Sequence, residues 1–481
     1  MSLFDDLPLE LLHVICTFCS KSEIRSLRLT SKLLATIADE HFLHEVVLFF
    51  AREDFETAES IIDNSRIAKN VKRLTFQSDR VPWLGPDFGL WNEFRKQSVR
   101  STTTIEGPEP PDTTFVPDET DRERRFRLRQ PNRSLVLEEN KHSRKELRAA
   151  YDHYNLLSED QNEMMLEHRA EECIEYMFQK CSKLDTVIVA MNDHHPAWRS
   201  VEAFRKGMIH PCGDNATSRL GVRSLNEVLM AAQATGRKPS SLHVYPISFQ
   251  FFGQTEEHME HIYKAISGLK TIDLKINTKI AFDRELDIDI DDDDDDETIA
   301  AKVEQFERQA ERESYWDAST RVTESFRDGR LARFLSKAPL LEHIAVAGIR
   351  TYLPDLMIDL KDIIPSPQWP AIRVLDLQCF QCPEQDLLDL VLKYRDSLQE
   401  LRLGQVLLTK GDPNSFFQAL AGQCPNLKSV GLSGMFMSRD IDYNFEYWRT
   451  TFTAAMEKYL ICGGELPRLS TYTSVSLDLL T

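Results

Sequence analysis

No apolar run in the 481 residues approaches the length of about 20 that a membrane-spanning helix requires. The start, MSLFDDLP, is acidic where a secretory leader would be basic. Basic charge is in short supply: 58 Lys and Arg stand against 77 Asp and Glu, for a formal net charge of -19. Nucleic acid and anionic membrane surfaces would both repel such a chain, so neither is an expected partner. Cysteine is sparse and odd in number, nine in all, which fits free thiols in a reducing compartment better than a disulfide framework. No phosphate loop, dinucleotide fingerprint, nucleophile elbow or protease motif is present, so the chain is read as non-catalytic, without cofactor or metal. These absences predict a cytoplasmic and/or nuclear protein. Its 42% hydrophobic content suffices for a large core, and its length exceeds one average domain.

The densest pattern lies at the amino terminus. Leu7, Leu11, Ile15 and Cys19 recur at every fourth residue, with Leu12, Val14 and Phe18 beside them, which predicts a helix with a wide apolar face. Pro8 suits its first turn and Glu10 favours the helix dipole there. Ser20 and Glu23 form a capping box that opens a second helix carrying Ile24 and Leu27. Thr30 or Ser31 caps a third helix bearing Leu33, Leu34 and Ile37. So small a unit cannot bury this apolar surplus alone, and either the rest of the chain or another protein must cover it.

The order Leu-Pro-x-Glu-Leu-Leu from Leu7, then Ile15, the Ser-x-x-Glu-Ile step at residues 20–24, Leu27, and Ser31-Lys32 resembles the F-box. Cys19 stands where that family usually has Leu, and Leu34 where it often has Trp; both keep the surface apolar. The resemblance covers about the first forty residues, and the module it defines is expected at residues 1–45. It implies a three-helix F-box-like module that docks on a Skp-type adaptor and, through it, a cullin, as part of an SCF-type ubiquitin ligase. Leu7, Pro8, Leu11, Ile15, Ile24 and Leu27 are the expected adaptor-binding residues.

Beyond the module the chain reads as α/β. HFLHEVVLFF at 41–50 predicts a strand, 54–62 a helix and VKRLTF at 71–76 a second strand, the rhythm of parallel strands joined by crossovers. A motif with apolar residues at its first, fourth and sixth places then recurs, as at Val71, Leu74, Phe76; Leu184, Val187, Val189; and Leu269, Ile272, Leu274. It returns from Leu341, Ile372, Leu398 and Leu427, starts that lie 31, 26 and 29 residues apart. That is within or just beyond the leucine-rich-repeat period of about 20 to 29 residues. Residues 46–481 are therefore expected to form an irregular leucine-rich-repeat-like solenoid with parallel strands and outer helices. The asparagine or cysteine usual at the ninth place is met only by Asn192 and Asn277, with Val406 and Met435 elsewhere. A further strand is expected near 240–247, and helices at 145–157 and 159–181.

Two insertions interrupt the array. Residues 85–146 are polar and largely irregular, and include the arginine-rich run at 121–133, read as a solvated segment ahead of a nuclear-import signal or an acidic-partner contact. Residues 283–300 form an acidic loop with eleven carboxylates against Arg284 between Asp283 and Glu297, a local charge of -10. No glycine supplies the turn of a calcium loop there. Cys16-x-x-Cys19 and Cys379-x-x-Cys382 would have to meet from distant parts of the array to hold zinc, so buried thiols are the preferred reading.

The expected function is the substrate-recognition subunit of an SCF-type ligase, holding an unknown protein substrate on the concave strand face. Alternation along the strands puts His343, Val374, Asp376, Gln378, Glu400, Arg402 and Ser429 on that face. Two alternatives stand beside it: an adaptor-bound scaffold outside any ligase, and a hydrolase centred on His194, His195, His210, Cys212 and Asp214.

Overall fold

The computed structural model describes residues 7–81, 87–93, 95–96, 142–191, 206–208, 219–277, 325–348, 357–364, 369–439, 442–445 and 451–468. The arginine-rich run, the acidic loop and the residues from His194 to His195 and from His210 to Asp214 lie outside them.

Three helices open the chain: α1 (Leu9–Phe18), α2 (Lys21–Arg28) and α3 (Lys32–Phe42). Pro8 is the N-cap of α1, one place before its first turn. The Ser20–Glu23 capping box is formed in both directions, and Ser31, rather than Thr30, caps α3 by accepting from the Leu34 amide at 3.2 Å. Leu12, Cys16, Ile24, Leu34, Ile37 and Ala38 make a small core of their own. The Arg28 guanidinium lies over the Phe42 ring and pairs with Asp39 at 2.6 Å, fastening α2 to α3. His41 and Phe42 belong to α3, so the first strand is shorter than the apolar run at 41–50 suggests.

The rest is α/β around a mostly parallel sheet of eleven strands among the described residues. It begins with β1 (Glu45–Phe49), α4 (Arg52–Ile62), α5 (Ser65–Ala68) and β2 (Arg73–Gln77), then α6 (Arg144–Leu166), α7 (Arg169–Lys180) and β3 (Thr186–Ala190). It continues with α8 (Arg219–Ala234), β4 (Ser241–Ser248), α9 (Glu256–Ile266), β5 (Thr271–Asn277), α10 (Arg330–Ser336) and β6 (His343–Ala347). The last part holds β7 (Ile358–Asp359), α11 (Leu360–Ile363), β8 (Val374–Pro383), α12 (Glu384–Lys393), β9 (Glu400–Lys410), α13 (Pro413–Leu420), β10 (Ser429–Met437), β11 (Asp442–Asn444) and α14 (Phe452–Cys462). The sheet order follows the chain apart from short β7, which pairs on β8 off the main path; only β11 runs antiparallel. The helix boundary expected near residue 158 falls instead at His168, whose left-handed backbone (φ 54°) separates α6 from α7.

Register explains the spacing of the apolar motif. Its fourth places, including Leu74, Val187, Ile272, Ile344, Leu375, Leu401 and Val430, lie side by side in one row across the sheet. Its sixth places, from Phe76 to Leu432, form another, and both rows are buried with the helices in one continuous core. The first places, such as Leu269, Leu341, Ile372 and Leu398, are buried just ahead of each strand. Since side chains alternate across a strand, the intervening residues all fall on the opposite face. Each buried Leu or Ile contributes about 1.5–3 kcal/mol, so a continuous row of them favours this register strongly.

Beyond these rows the strands β8, β9 and β10 kink together. Cys379, Gln405 and Gly434 all have left-handed φ, at 62°, 50° and 64°, and the β9–β10 register shifts here. The Gln405 Oε1 accepts from the Met435 amide at 3.2 Å, filling the gap in the ladder.

Helix α6 crosses to the opposite face at the β1 end. Tyr151, Tyr154 and Leu157 pack with Trp91 against Phe49, with Val47 at the margin, both on the face away from the main core. Buried Gln161 anchors this arrangement, donating to the Phe50 carbonyl at 2.7 Å and accepting from the Val81 amide at 2.9 Å.

Candidate protein-binding surfaces

Two surfaces emerge, one apolar and one polar. On the amino-terminal module, α1 presents Leu11 (49% exposed), Val14 (50%) and Phe18 (84%) along one stripe, with Leu9 at its start and Leu29 (88%) at the end of α2. Residues three, four and seven apart share a helix face, so Leu11, Val14 and Phe18 form one stripe with no cover from the described part of the chain.

Of the six expected adaptor-binding residues, Pro8 and Leu11 lie on this exposed side, and Leu7, Ile15 and Leu27 are half-buried at its margin. Ile24 is different: at 2% exposure it belongs to the module's own core, and its side chain is not presented to a partner. Val14, Phe18, Leu9 and Leu29 were not among the six. The step from Leu11 to Val14 to Phe18 carries the signal for the first two.

On the sheet, the face opposite the helices is polar between β4 and β10. His343, Val374 and Glu400 share one register row with Ser429; Asp376 and Arg402 share the next; Gln378 sits in a third. All seven expected substrate-face residues therefore lie on one face. Asp376 is held by Gln378, whose Nε2 donates to Oδ1 at 2.9 Å, and faces the Arg402 guanidinium at 3.8 Å. Arg402 pairs more closely with Glu400, at 2.5 Å. Burial raises the Asp376 carboxyl above its ordinary range, and the Gln378 bond and Arg402 offset this only in part. Burial also lowers His343 and favours its neutral form.

Three further residues complete the face: His243, Tyr245 and Asp273, on β4 and β5. Ser241 and His243 are 2.8 Å apart through Oγ and Nε2, and His243 Nδ1 lies 3.1 Å from the Tyr245 hydroxyl, which donates to Asp273 Oδ2. His243 Nδ1 is 3.6 Å from the same carboxylate oxygen. Burial acts to raise Asp273, but the bonds from His243 and Tyr245 outweigh it and hold the carboxyl below its usual range. Burial and the Asp273 bond push the Tyr245 phenol up. Lys275 rests over the Tyr245 ring, 4.8 Å from its centroid. Asp273 occupies the fifth motif place after Leu269, so the alternation that placed Asp376 also reaches it.

The two Cys-x-x-Cys pairs do not converge. Cys16 lies on α1 and Cys19 is its C-cap, Cys379 and Cys382 lie on β8, and among the described residues no group of three or more His, Cys, Asp or Glu is placed to hold a metal ion. The eight described cysteines are free, and burial pushes the Cys382 thiol up to about 12. Among the described residues, no helix is long and apolar enough to cross a membrane.

The chain matches no protein-family model and no curated protein. Its two surfaces therefore rest on their own chemistry.

Proposed function

We propose that this chain is the substrate-recognition subunit of an SCF-type ubiquitin ligase. Its amino-terminal module docks on a Skp-type adaptor, which brings a cullin, and its polar sheet face holds a protein substrate. The observation that carries this reading is the apolar stripe Leu11, Val14 and Phe18, exposed on a module that already has a complete core. Full burial of one such side chain is worth about 1.5–3 kcal/mol, so covering the exposed half of Leu11 and Val14 and most of Phe18 offers a docked partner a few kcal/mol in all. The resemblance of residues 7–32 to the F-box supports a Skp-type adaptor as that partner.

The body behind the module is read as a leucine-rich-repeat-like solenoid. Parallel strands in chain order and aligned motif rows support it, each unit burying its apolar side against the next. The receptor itself performs no chemistry; it raises the effective concentration of substrate near the recruited conjugating enzyme. The experiment is direct binding of purified Skp-type adaptor to the intact chain and to Leu11→Ala/Phe18→Ala. Micromolar or tighter binding, lost in the variant, supports the reading; a folded wild-type chain that does not bind sinks it.

A further inference from the structure

Three histidines meet where the amino-terminal module joins the sheet. His13 on α1 and His41 in the last turn of α3 are both half-buried, and His13 Nδ1 lies 3.0 Å from His41 Nε2. One of these nitrogens must carry the hydrogen and the other the lone pair, because two N–H groups or two lone pairs at that distance repel. The contact therefore tolerates at most one protonated ring. His44, just before β1, stands edge to face with His41 at 6.3 Å between ring centroids, and its Nδ1 donates to the Asn70 carbonyl at 3.3 Å. The row of rings thus runs from the docking helix to the segment that enters the sheet. Around His41 the charges are mostly positive. Arg25 and Arg28 of α2 lie over the neighbouring Phe42 ring, with Arg28 also paired to Asp39 of α3, and Arg66 of α5 reaches Thr36 on α3 at 3.0 Å. Glu40 and the carboxyl-terminal dipole of α3 favour a charged ring. Burial, with His13 and His44 beside it, outweighs them and lowers His41 from its ordinary value.

We infer that the His13–His41 bond is a proton-sensitive tie between α1 and α3, made at neutral pH and broken when both rings are protonated. A second proton leaves two N–H groups and two positive charges facing each other, and the module's small apolar core then holds α1 without the tie. A histidine whose folded pKa is lowered contributes stability that is whole above the unfolded value of about 6.5 and is lost as pH falls from there through the folded value. Helix α1 carries Leu11, Val14 and Phe18, so acid should also loosen the presentation of that stripe. This last consequence rests on the reading of the stripe as the adaptor surface, whereas the tie itself does not.

The test is amide hydrogen exchange of the intact chain at pH 7.5 and 5.5, corrected for the intrinsic effect of pH, wild type beside His13→Asn/His41→Gln. Asn sets an amide near the place of Nδ1 and Gln near that of Nε2, so the variant keeps a bond that does not titrate. Protection in α1 should fall about tenfold or more between the two pH values in wild type, as one pKa unit amounts to, and less than about twofold in the variant. A second measurement stands on the wild type alone: NMR titration of isotope-labelled histidine should show His13 and His41 taking up their protons in two separate steps. Unchanged α1 protection in wild type, an equal acid loss in the variant, or both rings titrating together near the free-imidazole value of about 6.5 would overturn the inference. Adaptor binding, measured on the same preparations at both pH values, keeps the two readings apart. A wild-type chain that loses α1 protection in acid yet binds no adaptor sinks the ligase reading alone, and one that binds adaptor with no acid response in α1 sinks the tie alone.

Discussion

The Tyr245 hydroxyl donates a hydrogen bond to the Asp273 carboxylate on the neighbouring strand, tying β4 to β5 by side chains on the polar face. The same bond helps hold Asp273 below its ordinary pKa. A carboxyl depressed in the folded state contributes stability above its unfolded pKa of about 3.9, and that contribution is lost as pH falls through the folded value. Tyr245→Phe should therefore destabilise the protein by about 1 kcal/mol at pH 7, the worth of one such bond, with the difference shrinking below pH 4. Urea unfolding of both proteins at neutral and acid pH measures this, and an equal difference at all pH values would contradict it.

On the proposed reading, docking and folding of the amino-terminal module depend on different residues. Ile24→Ala removes a core side chain and should cost about 2–5 kcal/mol in the stability of the module. Phe18→Ala changes an 84%-exposed side chain and should alter stability by less than about 0.5 kcal/mol while weakening adaptor binding. Hydrogen exchange in α2 and adaptor titration report the two effects independently. The account is wrong if Phe18→Ala melts the module or binds adaptor unchanged.

Asp54 predicts a pH dependence of the opposite sign. Burial raises its carboxyl to about 6, although the Phe49 amide donates to it at 2.7 Å. A raised carboxyl favours the folded state fully below the unfolded pKa, and this advantage is lost as pH rises through about 6. Asp54→Asn keeps an acceptor for Phe49 without the charge, so it should stabilise the protein by about 1–2 kcal/mol at pH 7.5 relative to wild type. At pH 4 that gain should vanish. Chemical denaturation at the two pH values decides.

Gly434 lies at the left-handed end of the shared kink in β8, β9 and β10. A Cβ there would stand 2.9 Å from Gln405 Oε1, the group that accepts from the Met435 amide. Gly434→Ala should cost about 1–2 kcal/mol from backbone strain alone, and more if the Gln405 bond is displaced. A variant that denatures like the wild type would contradict the requirement for glycine at this left-handed position.

Much of this arrangement is legible in the sequence, for a physical reason. A buried row needs an apolar residue at every crossing, so the first, fourth and sixth places of each repeat carried the register of β2, β3, β5, β6, β8, β9 and β10. Alternation then put His343, Asp376 and Arg402 on one face. Caps were equally readable, because Ser20 and Glu23 satisfy each other within three residues. What sequence could not show was set by tertiary contact. Ile24 and Leu11 are both apolar residues on short helices, yet packing buries one and leaves the other exposed. The aromatic cover on Phe49 comes from Tyr151 and Tyr154, a hundred residues on, and the left-handed His168 has no local signature.

The central claim is tested most directly by recovering the intact chain from cells and quantifying bound Skp-type adaptor and cullin, wild type beside Leu11→Ala/Phe18→Ala. The account predicts both proteins with the wild type and neither with the variant at equal expression and folding. Adaptor without cullin would instead favour a scaffold outside the ligase. A folded wild-type chain that recovers neither protein would contradict the claim that the exposed face of α1 is an adaptor-docking surface.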